Sequence, residues 1–118
     1  MISFDKCLAD LSTKLDRKQK VYSTFSDKVQ VSDWYKFKKG SCYFRYEGTD
    51  KKILTIANFT AKKDHSGFLT DIEAFVKSTD KVQVLRIESI LNEFIVAHCI
   101  KNGYTAMDPY NLSYQIDL

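Results

Sequence analysis

The chain has 118 residues, which suits one compact domain over residues 1–118 with little left for a second. Its make-up, 44% hydrophobic and 28% charged, excludes a mostly disordered chain. The formal charge of +3, from 18 Lys and Arg against 15 Asp and Glu, is too small to imply nucleic acid by itself.

No apolar run approaches the roughly 20 residues of a membrane helix, so no membrane partner is expected. The start, MISFDKCLADL, carries acidic residues and no sustained apolar segment. It is not a secretory signal, and a cytoplasmic location is expected. Cys7, Cys42 and Cys99 are odd in number and widely spaced, without CxxC or HxxxH. Reduced thiols and no metal site are therefore expected.

In chain order, residues 3 to 17 predict an amphipathic helix capped at Ser3. Phe4, Cys7, Leu8, Leu11 and Leu15 recur there at spacings of three and four. Residues 20 to 33 have the weakest pattern, with a short strand over 29–31. An aromatic strand over 34–38 breaks at Lys39-Gly40. The next strand, 41–47, sets Cys42, Phe44 and Tyr46 on one face. The stretch 34–46 interleaves aromatics with Lys36, Lys38, Lys39 and Arg45. Such a mixture on one sheet face could stack on and neutralise a single-stranded nucleic acid. A half-buried hairpin with solvated lysines is the commoner outcome, and a nucleic-acid partner is not expected.

After a turn at 48–51, the run KILTIANFT (52–60) is apolar on both faces. Ile53, Ala57 and Phe59 are assigned to one face and Leu54 and Ile56 to the other, as in a central strand covered on both sides. A polar loop leads to a helix over 67–77, with Phe68, Ile72, Phe75 and Val76 as its stripe. The run over 82–87 reads as another buried strand. ESILNEFIVAHCIKNGY (88–104) reads as a helix beginning near Asn92 and ending at Gly103. A short strand follows, then a turn at Asp108-Pro109, then a strand over 111–117 with Leu112, Tyr114 and Ile116 alternating. A strand–helix–strand unit of this length predicts a parallel crossover between 52–60 and 82–87. The fold class is α+β, a mixed central β-sheet flanked by helices.

The loop Lys62-Lys63-Asp64-His65-Ser66-Gly67 opens a helix at Gly67, where free backbone N–H groups and the positive helix end suit a phosphate. Asp64 would repel an anion, and a plain surface loop gives the same pattern.

The order of a strand buried on both faces, polar loop, helix, second strand and helix ending in Gly-aromatic resembles the GNAT acetyltransferase superfamily. Lys62 stands at the basic start of that family's pyrophosphate loop and Gly67 at its final glycine, while His65 replaces its first. In the family's Asn-x-x-Ala-x-x-Leu-Tyr-x-Lys-x-Gly-Phe helix, Asn92, Lys101, Gly103 and Tyr104 keep the register, with Ile95, His98 and Cys99 at the Ala, Leu and Tyr positions. The resemblance covers roughly residues 41 to 118. The short chain suits a divergent or trimmed member, of the kind that small phage genomes carry.

The resemblance implies an N-acetyltransferase that moves an acetyl group from acetyl-coenzyme A to an amine. The acceptor would be a small amine or a protein lysine or N-terminal amine. Backbone groups of Asn58, Phe59 and Thr60 would pair with the pantetheine arm. Lys62 and the amides of Ser66, Gly67, Phe68 and Leu69 would hold phosphate, and Asn92 would face the cofactor. Glu88, Glu47 or an ordered water would be the base, and Cys99 the acid in place of Tyr. Both departures, His65 and Cys99, fall on the chemistry.

A catalytically inactive protein on the same scaffold, binding a partner protein through Trp34, Tyr35 and Tyr43, is the alternative. A Cys nucleophile is set aside, because His98 and Cys99 lie about 100° apart on a helix.

Overall fold

Ser3 starts the first helix as the spacing predicts, its Oγ accepting the N–H of Lys6 at 3.2 Å. That contact belongs to a computed structural model that describes residues 1–22, 29–48, 51–63, 66–88, 93–108 and 113–118. Helix α1 spans Phe4–Tyr22, longer than the expected 3–17 because its basic second half continues without a breaker. Its apolar stripe is buried at Cys7, Leu8, Leu11 and Leu15.

Six strands follow: β1 Gln30–Lys36, β2 Gly40–Gly48, β3 Lys52–Ala61, β4 Val84–Ile87, β5 Thr105–Ala106 and β6 Tyr114–Asp117. Helix α2, Phe68–Ser78, lies between β3 and β4, and helix α3, Glu93–Lys101, follows β4. The sheet order is β1-β2-β3-β4-β6-β5. β3 and β4 run parallel, from Ile53↔Val84 to Ile56↔Ile87, and the other neighbours are antiparallel. The α+β class, the mixed sheet and the parallel pair are as expected. The two strands expected over 29–31 and 34–38 are a single strand, since Ser32 and Asp33 do not interrupt pairing with β2. Asn92, Pro109 and Leu112 lie outside the described residues.

One expectation is corrected. Ile53, Ala57 and Phe59 do not share a face. The register jumps from Tyr43↔Asn58 to Phe44↔Ile56, so Ala57 is an extra residue in β3. A β-bulge reverses the two-residue alternation beyond it. Phe59 therefore lies on the face of Leu54 and Ile56, where its ring stacks on Phe68 at 5.0 Å.

All three helices cover this face. Cys7 and Leu11 of α1, Ile72 and Val76 of α2, and Phe44 and Leu54 of the sheet line one small apolar cavity. α3 lies beside α2, joined to it through His98 and Glu73. Cys99 belongs to the same cluster, while the buried Val84, which points to the opposite face, lies outside it. A chain of rings ties the layers together: Phe75 to Phe4 at 5.5 Å, Phe4 to Phe37 at 4.8 Å, and Phe37 to Phe68 at 5.9 Å. Each such pair contributes about 0.5–1.5 kcal/mol beyond its burial. No described helix packs on the other face, which carries Trp34, Tyr43, Arg45, Thr55, Arg86 and Gln115. No described helix is long and apolar enough to cross a membrane.

α3 ends where the sequence predicts. Gly103 has φ of 80°, the N–H of Tyr104 donates to Cys99 O at 3.0 Å, and that of Gly103 to Ile100 O at 3.4 Å. This is a Schellman cap. Among the described residues a Cβ at Gly103 would meet nothing within 4 Å, so φ is what demands glycine there. Gly103→Val should cost about 1–3 kcal/mol and Gly103→Asn much less. Urea denaturation checks this, and equal stabilities would remove the left-handed constraint.

α1 is fastened to β1 by charge. Lys14 Nζ reaches Asp33 at 2.6 Å and Asp10 at 2.9 Å, and the Tyr35 hydroxyl donates to Asp10 at 2.6 Å. The Tyr35 hydrogen bond and then Lys14 hold the Asp10 carboxyl below its ordinary 3.8. Lys14 and then the Trp34 N–H do the same for Asp33. A carboxylate depressed by folding contributes stability that is complete above its unfolded value and lost as pH falls through the folded one. Melting temperature should therefore drop as pH falls below about 4, and the drop should be shallower in Lys14→Met.

Candidate functional site

The site is built around the place where β3 and β4 part. Their last rung is the N–H of Glu88 donating to Ile56 O at 3.0 Å. The bulge at Ala57 comes next, and β3 runs on to Ala61 with β2 as its sole strand neighbour among the described residues. Residues 57 to 61 thus offer a strand edge that β4 does not cover. Asn58 and Thr60 are exposed there, and Phe59 is half-buried.

The chain beyond that edge runs through Lys62 and Lys63, both exposed, to α2. The N–H of Lys62 donates to Lys39 O at 2.8 Å, fastening the end of β3 to the β1–β2 turn. Gly67 is the N-cap of α2, with φ of 79° and no side-chain capping bond. The first intrahelical bond closes from Asp71 N–H to Gly67 O at 2.9 Å. The amides of Phe68, Leu69 and Thr70 precede it and are left for a ligand or water. Among the described residues a Cβ at Gly67 would meet only Lys39 Nζ, at 3.8 Å, so they leave space before the helix end. Lys39 is itself held by Asp71 at 2.7 Å. Ser66 and Gly67 are accessible, whereas the Phe68 ring is buried and offers only its backbone.

Glu88 sits at the vertex of the opening. Its Oε1 accepts from Arg45 Nη1 at 2.9 Å, and both side chains are partly exposed. Arg45 and Arg86 flank Thr55 on the helix-free face. Thr55 is fully buried, and its Oγ1 has no hydrogen-bond partner among the described residues. Arg86 is held by Gln115 Oε1 at 2.8 and 3.1 Å. Glu47 lies at the far end of β2, opposite Gln30, away from this vertex. Asn92 and His65 lie outside the described residues.

Cys99 belongs to the buried core cluster. It has no exposed surface, and burial, with Glu73 nearby, pushes its thiol up to about 11. Cys42 is likewise pushed up to about 12 by burial, and Cys7 is raised further, mainly by burial. All three thiols are free. No group of metal-binding side chains occurs among the described residues.

Sequence reasoning missed the node beside Cys99. Glu73 is 7% exposed, and its Oε1 meets His98 Nε2 at 2.7 Å. Its Oε2 accepts from the Tyr104 hydroxyl. Burial first, then the hydrogen bond to Glu73, raises the Tyr104 phenol above its ordinary value. The available signal was Glu73 itself, an acid beside Ile72 on the buried side of α2. Arg45 was missed as the holder of Glu88 because only the sheet brings them together. Of the aromatics expected to be exposed, Trp34 is, at 53%, and Tyr43 is partly so. Tyr35 is a correction: it is buried under α1.

No protein-family model and no curated protein matches the chain. Among solved structures it is similar to one described as "The crystal structure of KacTA-DNA complex", at 15% identity. The likeness covers 92% of this chain and 79% of that one, with a TM-score of 0.43. At that TM-score it carries no argument about fold or activity.

Tyr104→Phe should cost about 1–3 kcal/mol, because the buried Glu73 loses a donor it cannot replace from water. Chemical denaturation measures the loss, and a neutral result would show that the carboxylate is hydrated.

Proposed function

We propose that this chain is an acetyl-coenzyme A-dependent N-acetyltransferase of the GNAT type. The observation that carries it is the parting of β3 from β4 beside an uncapped helix end. An extended thioester arm needs a strand edge to pair with, and its pyrophosphate needs amides and cations at one end. Residues 57 to 61 offer that edge, and α2 with Lys62 and Lys63 offers that end. The open space at Gly67 fits close approach of a phosphate.

Asn58, Phe59 and Thr60 would hold the arm through their backbone, and Lys62, Ser66, Gly67 and Phe68 the phosphates. Bound there, the coenzyme supplies an acyl group activated as a thioester. The acceptor is a small amine or a protein lysine or N-terminal amine, and it attacks only when neutral. Glu88 would take its proton, a role supported by its position at the vertex with Arg45 holding one carboxylate oxygen. Asn92 keeps the role that the family pattern gives it.

A second reading is favoured by one observation, the complete burial of Cys99. A family member without an accessible acid would keep the fold and bind a partner protein without turnover.

Calorimetry with acetyl-coenzyme A should show binding that Gly67→Asp abolishes, because Asp tolerates positive φ but repels phosphate. With a polyamine or lysine peptide, Glu88→Gln should lower kcat about 10²–10⁴-fold and leave coenzyme affinity unchanged. Cys99→Ala should lower kcat alike if the thiol is the acid, and only the melting temperature if it is packing. Binding without turnover would select the inactive reading. Unchanged binding by Gly67→Asp would sever the link between this loop and phosphate.

A further inference from the structure

The helix-free face of the sheet carries an aromatic pair that acetyl transfer does not use. Trp34 on β1 and Tyr43 on β2 are cross-strand partners on this face. Their ring centroids are 5.2 Å apart at 54°, and Trp34 is 53% exposed. The Tyr43 hydroxyl donates to Ser32 at 2.8 Å, which fixes its ring. Trp34 leaves about half of its surface available to a ligand.

The next residues along the same face are Lys36, Ser41 and Thr60, which occupy one row of the register. Beyond them lie Lys38 in the β1–β2 turn and Lys62 and Lys63 after β3. The bond from Lys62 N–H to Lys39 O brings these two segments side by side. Lys36, Lys38, Lys62 and Lys63 are all exposed, and none forms an ion pair among the described residues. The acids of this face among the described residues lie elsewhere. Glu47 and Asp117 are in the row of Ile53 and Val84, toward the opposite end, and Glu88 is held by Arg45. One end of the face is therefore cationic and aromatic.

We propose that this end of the sheet binds a single-stranded nucleic acid, with bases stacked on Trp34 and Tyr43 and phosphates along Lys36, Lys38 and Lys63. Exposed rings on neighbouring strands accept unpaired bases of any sequence, and lysines track the phosphates. A duplex hides its base faces and would engage the lysines alone. An acidic protein surface would likewise use the lysines and leave the rings with no defined role.

The test is fluorescence anisotropy with labelled oligouridine and oligothymidine of about 12 nucleotides, which identify the sugar bound. A duplex of the same length and polyglutamate serve as competitors. Trp34→Ala and Tyr43→Leu should each weaken single-strand binding roughly 5- to 150-fold. Trp34→Phe, which keeps a ring, should retain most of it. Lys38→Ala and Lys63→Ala should each reduce the slope of log affinity against log salt by about 0.7. Circular dichroism melts control for folding, and a Trp34→Ala variant of normal melting temperature makes the comparison sound. Single-strand binding that Trp34→Ala leaves intact, or that polyglutamate displaces as well as oligouridine does, would assign the patch to acidic proteins and overturn the proposal. No binding of either oligonucleotide at about 50 mM salt would overturn it outright.

Discussion

One extra residue, Ala57, governs how the two layers of this molecule meet. With strict alternation along β3, Asn58 and Thr60 would face the helices, and Phe59 would point to the open side. The bulge turns Phe59 inward, where it stacks on Phe68, the first residue of α2. That stack seats the start of α2 beside the end of β3 and so fixes where Gly67 and its free amides lie. The final rung between β3 and β4 falls immediately before the bulge. The strand edge, the helix end and the vertex at Glu88 are thus consequences of a single register shift.

The remaining construction follows from placing every helix on one side. The principal-axis extents, 42 × 35 × 22 Å, show the thin dimension expected of one sheet and one helical layer. The core is then a single interface, filled by the aromatic chain from Phe75 through Phe4 and Phe37 to Phe68 and Phe59. Polar pairings at its margins complete it. Lys14 with Asp10 and Asp33 fastens α1 to β1, and Glu73 with His98 and Tyr104 fastens α2 to the end of α3. The second pairing is the more consequential, because Glu73 is buried and each donor it loses leaves a carboxylate oxygen unsatisfied.

The sequence made much of this legible, for physical reasons. Period-2 and period-3.6 patterns located the elements because a one-sided core demands one apolar face from each. The end of α3 was legible at Gly103, since a left-handed residue there leaves a glycine as its mark. The parallel pair followed from strand–helix–strand length alone. The bulge was not legible: KILTIANFT carries apolar residues on both faces, and such a run has no clean parity to betray an inserted residue. Arg45 and Glu88 are far apart in the chain and meet only across the sheet, as Glu73 meets His98 and Tyr104 across two helices. Tyr35 and Trp34 are neighbours on opposite faces of β1, and which face is buried is decided only by where α1 packs. Of the candidate site, the loop ending at Gly67 and the vertex residue Glu88 were visible, whereas the position of Cys99 inside the core was not.

The three thiols have a use that none of their roles in packing suggests. Cys7 lies in α1, Cys42 in the second strand and Cys99 in α3, one in each of three separate pieces of the fold, and all are buried and unpaired. A thiol reagent in water meets none of them until its own piece opens. The rate at which each cysteine is alkylated is therefore a clock for the opening of α1, the sheet or α3 separately. The protein carries native labels for its local unfolding, with no residue added.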